Sequence, residues 1–285
     1  MSLKVLISYS KINLFLNVGK KIKKTHLHNI QSMIFQVNIY DKIYIKKNKS
    51  FKNNIKFVGK FNKYINKKNN TVSKSIFLLK QRGFVKKNHF FDITVKKNIP
   101  VFAGLGGGSS NAASIIKYFK KNKKLSKEDI SYFSKFLGSD LIVFLGSSQI
   151  FQKNLLKIVN LKKKYNFYFV MVYPYFKCSS KYIYSKVDTL KRIENRGYNS
   201  VSKIDLLKKL ILEKNYLEKT VISKYPKIKE ILNELNSSKG CYFSRITGSG
   251  STCFGVFLNK KSANKAHNHI KKKFAKFWCV IGKTI

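Results

Sequence analysis

Acidic side chains are scarce in this chain of 285 residues: 12 Asp and Glu stand against 59 Lys and Arg, a formal net charge of +47 at pH 7. Any acid held in a structured turn is therefore a stronger candidate for chemistry than it would be in an ordinary chain. Arginine is nearly missing too, occurring only at Arg82, Arg192, Arg196 and Arg245. Arg is the side chain suited to bidentate recognition of phosphates and bases, so a basic surface made almost entirely of Lys argues against a dedicated nucleic-acid interface. Lys, Asn, Ile, Phe and Tyr share A/T-rich codons, and the charge reads as base bias spread over a solvated surface. Such a surface repels itself, most strongly at low salt.

Other absences narrow the class further. Cys178, Cys241, Cys253 and Cys279 are scattered without a C-x-x-C pair, which excludes a recognisable zinc motif or disulfide framework and leaves reduced thiols. No run is apolar enough to span a bilayer: the longest, Phe167 to Tyr175, falls well short of the ~20 residues required. Residues 1–10 lack the pattern of a secretory signal, so a cytoplasmic location is expected.

What is present describes a folded chain. The hydrophobic fraction is 44% and the aromatic fraction 14%, values of a globular protein. The length suits two modest domains, expected at residues 1–155 and 156–285. Ile12, Leu14, Leu16 and Val18 alternate as in a half-buried strand, with Lys11 and Asn13 sharing the opposite face. The Lys- and Asn-rich stretch from Lys46 to Lys68 reads as loops or weak strands, and Val72 to Leu79 as the core face of a helix. Phe91–Val95 and Phe167–Tyr173 are further strands. Ser126 with Asp129 three residues on starts a helix that stops at Gly138; two or three helices fill Ser202 to Leu235; a basic helix follows at Ser262–Phe274. Strands mixed with helices in both halves, without regular alternation, predict an α+β fold.

The strongest local signal begins at Pro100 and runs through Gly104, Leu105, Gly106, Gly107, Gly108, Ser109, Ser110 and Asn111 into Ala112 and Ala113. Glycines let backbone amides approach an anion closely, and the helix that should follow, capped by Ser109, Ser110 or Asn111, adds its unpaired donors. A polyphosphate is the natural occupant. The segment lacks the Gly-Lys-Ser/Thr ending of a P-loop, and its spacing fails G-x-G-x-x-G.

This loop resembles the phosphate loop of the GHMP kinases, in the form used by members that act on a cytidyl diphosphate alcohol. Two more segments fall in that family's order: Ser10 to Leu16 resembles its opening motif, and Thr247-Gly248-Ser249-Gly250-Ser251 its third. Leu137 to Phe144 is similar to the stretch carrying its catalytic aspartate. The resemblance implies a two-lobed α+β GHMP kinase fold, with an N-terminal ribosomal S5 domain 2-like lobe that binds ATP and a C-terminal α/β lobe on the substrate side. It implies phosphoryl transfer from ATP to a hydroxyl, with Asp140 taking the hydroxyl proton and Lys11 pairing with it and drawing charge from the transferring group. Mg²⁺ is implied by that chemistry, its protein ligands unassigned. Asn70 is similar to the adenine contact. Asn13, His28, Tyr184, Thr247, Gly248 and Gly250 fall on the substrate side. Leu27 stands where the family has a tyrosine stacked on the cytosine, Phe102 and Ala103 where it has small residues, and Ile142 where it has proline.

The partner expected is thus a small molecule rather than nucleic acid or membrane, for a monomer or homodimer. Two rivals share much of the pattern: another GHMP kinase of the homoserine or mevalonate type, and a basic RNA-binding protein on an S5-like core. Asn111 after the serine pair and the Lys11-Ile12-Asn13 opening favour the cytidyl branch.

Overall fold

A computed structural model describes residues 2–22, 27–66, 69–187 and 202–285. The chain opens with β1 (Lys4–Asn13), β2 (Asn17–Lys21), β3 (His28–Asn48), β4 (Asn54–Val58), α1 (Thr71–Gln81), β5 (Phe90–Lys96), α2 (Gly107–Lys120), α3 (Lys127–Leu137) and α4 (Leu141–Leu145). It continues through β6 (Gln149–Gln152), β7 (Ile158–Asn160), β8 (Tyr168–Tyr173), α5 (Ser180–Ser185), α6 (Lys203–Leu212), α7 (Glu218–Lys224), α8 (Lys227–Ser237), β9 (Ser244–Ile246), β10 (Cys253–Phe257), α9 (Lys260–Lys273) and β11 (Trp278–Lys283). Two compact units form. One contains the chain up to Ser10, Ile39–Val101 and Gly106–Gly146; the other contains Lys11–Asn38, Phe102–Leu105 and Ser147–Ile285.

In the first unit β5 pairs antiparallel with β3, from Lys42↔Lys96 to Asn48↔Phe90, and parallel with β4, from Asn54↔Asp92 to Val58↔Lys96. Ile43 and Ile45 on β3, and Ile93 and Val95 on β5, are buried at every second position, the period of a sheet with one covered face. Helix α1 buries Val72, Ile76 and Leu79, and α2 buries Ala112, Ala113, Ile115 and Ile116, as their spacing requires. Phe119 of α2 meets Phe91 of β5 edge-on at 4.9 Å. The signals around α3 held: Ser126 accepts from the Asp129 amide, Asp129 accepts from the Ser126 amide, and the helix ends at Gly138 with φ +100°.

The second unit contains a four-stranded antiparallel sheet in the order β11-β8-β10-β9. Beside it, β3 pairs with β2 and with β6, and β6 with β7. Ile228, Ile231 and Leu235 of α8, Ala263 and Ile270 of α9, and Val170 and Val172 of β8 form one apolar cluster, each fully buried. Each large member contributes about 1.5–3 kcal/mol of transfer free energy. The stretch from Ser202 to Leu235 forms three helices, α6, α7 and α8.

One reading was too simple. The strand expected at Ile12–Val18 is interrupted, because Phe15 is fully buried together with Leu14 and Leu16, which a straight half-covered strand does not allow. A bend between β1 and β2 solves this, with the Leu14 amide donating to Met33 O at 2.8 Å and the Leu16 amide to Lys214 O at 3.0 Å. The polar stretch from Lys46, read as loops or weak strands, contains the end of β3 and all of β4, a short strand whose Ile55 and Phe57 are half-buried between exposed neighbours. Its residues 67–68 lie outside the described residues.

Glu234 on α8 receives both His269 and Lys273 of α9. The hydrogen-bonded His269 ring, then the Lys273 side chain, hold its carboxyl below the usual range. A depressed carboxyl pKa stabilises the fold above the unfolded value and loses that stabilisation as pH falls through the folded one. Urea unfolding of Glu234→Gln should therefore show a loss of about 0.5–1 kcal/mol at neutral pH, the scale of a surface ion pair. The difference from the parent should vanish well below the ordinary carboxyl range of about 4; a difference independent of pH would show that the pair contributes nothing.

Candidate active site

The glycine loop is built without a side-chain cap. Helix α2 begins at Gly107 with Gly106 as its N-cap, at φ +71°, and has no side-chain capping hydrogen bond. Ser109, Ser110 and Asn111 were expected to cap and do not. Ser110 and Asn111 lie inside the helix, their side chains drawn to partners far along the chain: Ser110 Oγ donates to Tyr9 O at 2.6 Å, and Asn111 Nδ2 to Ser8 Oγ at 2.8 Å. The first-turn amides of a helix have no intrahelical acceptor and carry partial positive charge. Gly107 is closely packed, since a Cβ there would lie 3.0 Å from Ile99 Cγ2 and 3.4 Å from Lys97 Nζ. Thr71 Oγ1 donates to Gly108 O at 3.0 Å, and Asn70 beside it caps α1 through Oδ1 to the Ser73 amide at 2.9 Å. Asp140, half-buried, follows the Gly138-Ser139 turn at the N-cap position of α4, where its side chain makes no capping hydrogen bond.

In the second unit three segments of the sequence meet. Lys11 is buried, with its ammonium donating to Asn13 Oδ1 and its amide to Leu105 O at 3.0 Å. The Asn13 amide donates to Thr247 Oγ1 at 3.0 Å, and Asn13 Nδ2 to Ser32 Oγ at 2.8 Å. Gly104, at φ +75°, touches the third motif so closely that a Cβ would lie 2.2 Å from Thr247 O and 3.0 Å from Gly250 O. At Gly248, φ +56°, a Cβ would lie 3.2 Å from Lys11 Nζ. The result is a fixed buried cation in a nest of backbone, with its companions Asn13, Thr247 and Gly248 held by hydrogen bonds. Gly250 lies in the same turn, its amide donating to Thr247 O at 3.0 Å.

His28 and Tyr184 also meet, their rings stacked at 5.9 Å and 29°. His28 is buried and its Nδ1 lies 3.0 Å from Gly19 O, the geometry of an Nδ1–H donor. Leu27 next to it is half-exposed.

Sequence reasoning missed the supports of this unit. Arg245 is buried and donates through Nη1 to Leu14 O at 2.8 Å and through Nη2 to Ile211 O at 3.1 Å. Glu218 Oε2 accepts from the Ile246 amide at 2.9 Å. Burial pushes the Glu218 carboxyl up, and burial pulls the Arg245 guanidinium down to about 10 against the opposing pull of Glu218 and Glu213. Arg245 thus ties the end of β1 to β9, which carry Asn13 and Thr247. Arginine's rarity in this chain was the one available signal.

Comparison with known proteins was made against this geometry. The model for the GHMP kinases N-terminal domain matches residues 70–145, and that for the GHMP kinases C-terminal domain residues 198–276. The chain is 40% identical over 282 residues to a 4-diphosphocytidyl-2-C-methyl-D-erythritol kinase of Pelagibacter ubique (strain HTCC1062), covering 98% of each chain. A crystal structure of a 4-(cytidine 5'-diphospho)-2C-methyl-D-erythritol kinase aligns with TM-score 0.74 at 20% identity, over 99% of this chain and 100% of that one. A homoserine kinase from Cytophaga hutchinsonii aligns with TM-score 0.73 at 15% identity, over 100% and 95%. The two structures establish the fold without separating its branches; the sequence relative separates them.

Gly83 and Gly104 both have φ near +75°, yet only Gly104 meets backbone where a Cβ would go. Gly83→Ala should cost about 1–2 kcal/mol, the left-handed penalty alone. Gly104→Ala should lower stability by clearly more, about 3 kcal/mol or above, as the loop is pushed off Thr247. Equal unfolding midpoints for the two variants would show that the contact does not constrain the loop.

Proposed function

The chain belongs to the GHMP kinases and, among them, to the 4-diphosphocytidyl-2-C-methyl-D-erythritol kinases, and we propose that Asp140 and Lys11 are the side chains with which it acts. It is an ATP-dependent phosphotransferase with an alcohol acceptor, in the mevalonate-independent route to isoprenoid precursors. The acceptor is the 2-hydroxyl of 4-diphosphocytidyl-2-C-methyl-D-erythritol, and the products are ADP and the 2-phosphate.

The observation that supports this reading best is the buried Lys11 ammonium, fixed by Asn13 and lying close against Gly248 of the third motif. Phosphoryl transfer asks a protein chiefly to position groups and to offset charge on the transferring oxygens. Lys11 supplies a fixed cation for that charge, and it needs no reorganisation at the moment of transfer because Asn13 already orients it. Asp140 accepts the proton of the attacking hydroxyl as the oxygen bonds to phosphorus and the ADP oxygen leaves with its electron pair. The amides of Gly106, Gly107, Gly108 and Ser109 face the phosphates, between Pro100, which opens the loop, and Ser110 and Asn111, which act by holding it. Gly104 and Leu105 join that loop to the lysine strand. Asn70 contacts the adenine.

On the acceptor side Tyr184 and His28 are assigned to the cytosine, with Asn13, Thr247, Gly248 and Gly250 toward the alcohol. Their ring pair compensates for the tyrosine that Leu27 replaces, since His28 stacks on Tyr184 and presents a flat edge to a base. Among the described residues no three His, Cys, Asp or Glu side chains gather to cage a metal. Mg²⁺, when bound with ATP, would be held mainly by phosphate oxygens and water and would offset phosphate charge. Both substrates are polar solutes, which suits a cytoplasmic enzyme.

The test is ADP release by purified protein offered ATP with the cytidyl alcohol, homoserine or mevalonate. Turnover is expected with the cytidyl alcohol alone; turnover of homoserine without it would overturn the acceptor. Asp140→Asn and Lys11→Met should each lower kcat by about 10²–10⁴-fold, with the ATP KM within about threefold. Parent-like kcat in either variant removes that residue from its role.

A further inference from the structure

Beneath the first unit's half of the glycine loop lies a carboxylate that the reaction does not use. Asp41, on β3, is fully buried, and four donors converge on it. Its Oδ1 accepts from the amides of Asn98 at 2.8 Å and Ile99 at 2.9 Å, the two residues directly before Pro100. Its Oδ2 accepts from the Lys97 ammonium and from Asn111 Nδ2, the latter at 3.0 Å on the far side of the loop. Lys97 is buried as well and reaches Asn111 Oδ1 at 3.0 Å. The other hydrogen of the Asn111 amide goes to Ser8, whose hydroxyl donates to Ser110 Oγ at 2.8 Å.

We propose that Asp41 is a positioning residue for nucleotide binding: one buried carboxylate clamps the two ends of the phosphate loop and so sets its amides before ATP arrives. The proposal rests on the reading of that loop as the ATP site. Stability alone does not account for the arrangement, because apolar side chains of the same volume are commonly at least as stabilising as a buried ion pair. Directional contacts are what an ion pair adds. Here they fall on the chain entering the loop and on the helix leaving it, and they place the Lys97 ammonium and Ile99 close against Gly107. Without the clamp the loop ends relax, and ATP must spend binding energy to order them. The clamp touches no reacting atom, so chemistry after binding is spared.

Asp41→Asn preserves shape but turns one acceptor into an NH₂ facing donors only. Asn111→Ala removes one arm while leaving the Lys97–Asp41 pair intact, and carries the test if Asp41→Asn does not fold. Steady-state kinetics of each folded variant should show the ATP KM raised about 10–30-fold, kcat within about threefold and the alcohol KM within about twofold. The Kd of a non-hydrolysable ATP analogue, measured by calorimetry, should rise with the ATP KM. A folded variant with parent ATP KM overturns the clamp, as does an equal rise in both KM values, which general loosening would give. Parent protein that fails to turn over ATP overturns instead the reading of the loop on which the clamp rests.

Discussion

At residue 104 the backbone runs so close to the carbonyl of Thr247 that not even a methyl group fits between them, and the second unit's part of the site is organised around that approach. Because Gly104 and Leu105 lie there, the amide of Lys11 finds Leu105 O; because Thr247 lies there, its hydroxyl receives the amide of Asn13. Backbone hydrogen bonds of this kind tolerate little change in spacing. A side chain at residue 104 would therefore move not one contact but the whole seating of Lys11. Gly248 follows the same logic from the other direction, since its missing Cβ leaves the space that the lysine ammonium borders.

Several of the few acids among the described residues stand where a buried or half-buried cation needs a partner, while Asp92, Glu128, Asp205 and Glu230 are exposed. Asp41 neutralises a fully enclosed lysine, Glu213 and Glu218 flank buried Arg245, and Asp129 closes the capping box of α3 while accepting Arg82. An unpaired buried cation costs far more than an unpaired surface one, whose charge water screens. Base composition that drives a chain toward lysine can thus flood its exterior while the interior keeps its partners. The same reasoning explains why the net charge says so little about function: the exposed lysines reflect what the surface tolerates, and the few enclosed charges reflect what the site requires.

Legibility in the sequence tracked the range of the interaction. The start and stop of α3 could be read because Ser126, Asp129 and Gly138 act within one helix. The glycine loop could be read as an anion site because its chemistry is in its own backbone. Asn111 was misjudged as a cap for the opposite reason. Its partners, Ser8 and Asp41, lie 103 and 70 residues away, and nothing local distinguishes it from a capping asparagine. Lys97 read as one more lysine ending a strand, and Asp41 carried no signal inside a strand whose polar neighbours obscured its length. The bend after Asn13 was hidden because alternation in Ile12 to Val18 is satisfied equally by a straight strand and by a bent one that buries Phe15 as well.

Shared architecture leaves the acceptor undecided, and this bears on where specificity is stored. Kinases for homoserine and for the cytidyl alcohol align with this chain almost equally well over nearly all of its length. Backbone nests and helix termini, which the proposed function assigns to ATP, are properties of the fold and do not by themselves select an acceptor. An acceptor is distinguished by side chains added to that frame, and such side chains need support of their own. His28 has it: Gly19 O fixes its ring through Nδ1, and Tyr184 covers one face. In the proposed reading, the ring nitrogen opposite Nδ1 is what that support offers to the edge of a base, a feature that homoserine does not have. Discrimination by a buried polar group is strong because the wrong ligand leaves it unpaired, and under the proposed function the stacked pair is where this chain holds such a group in place.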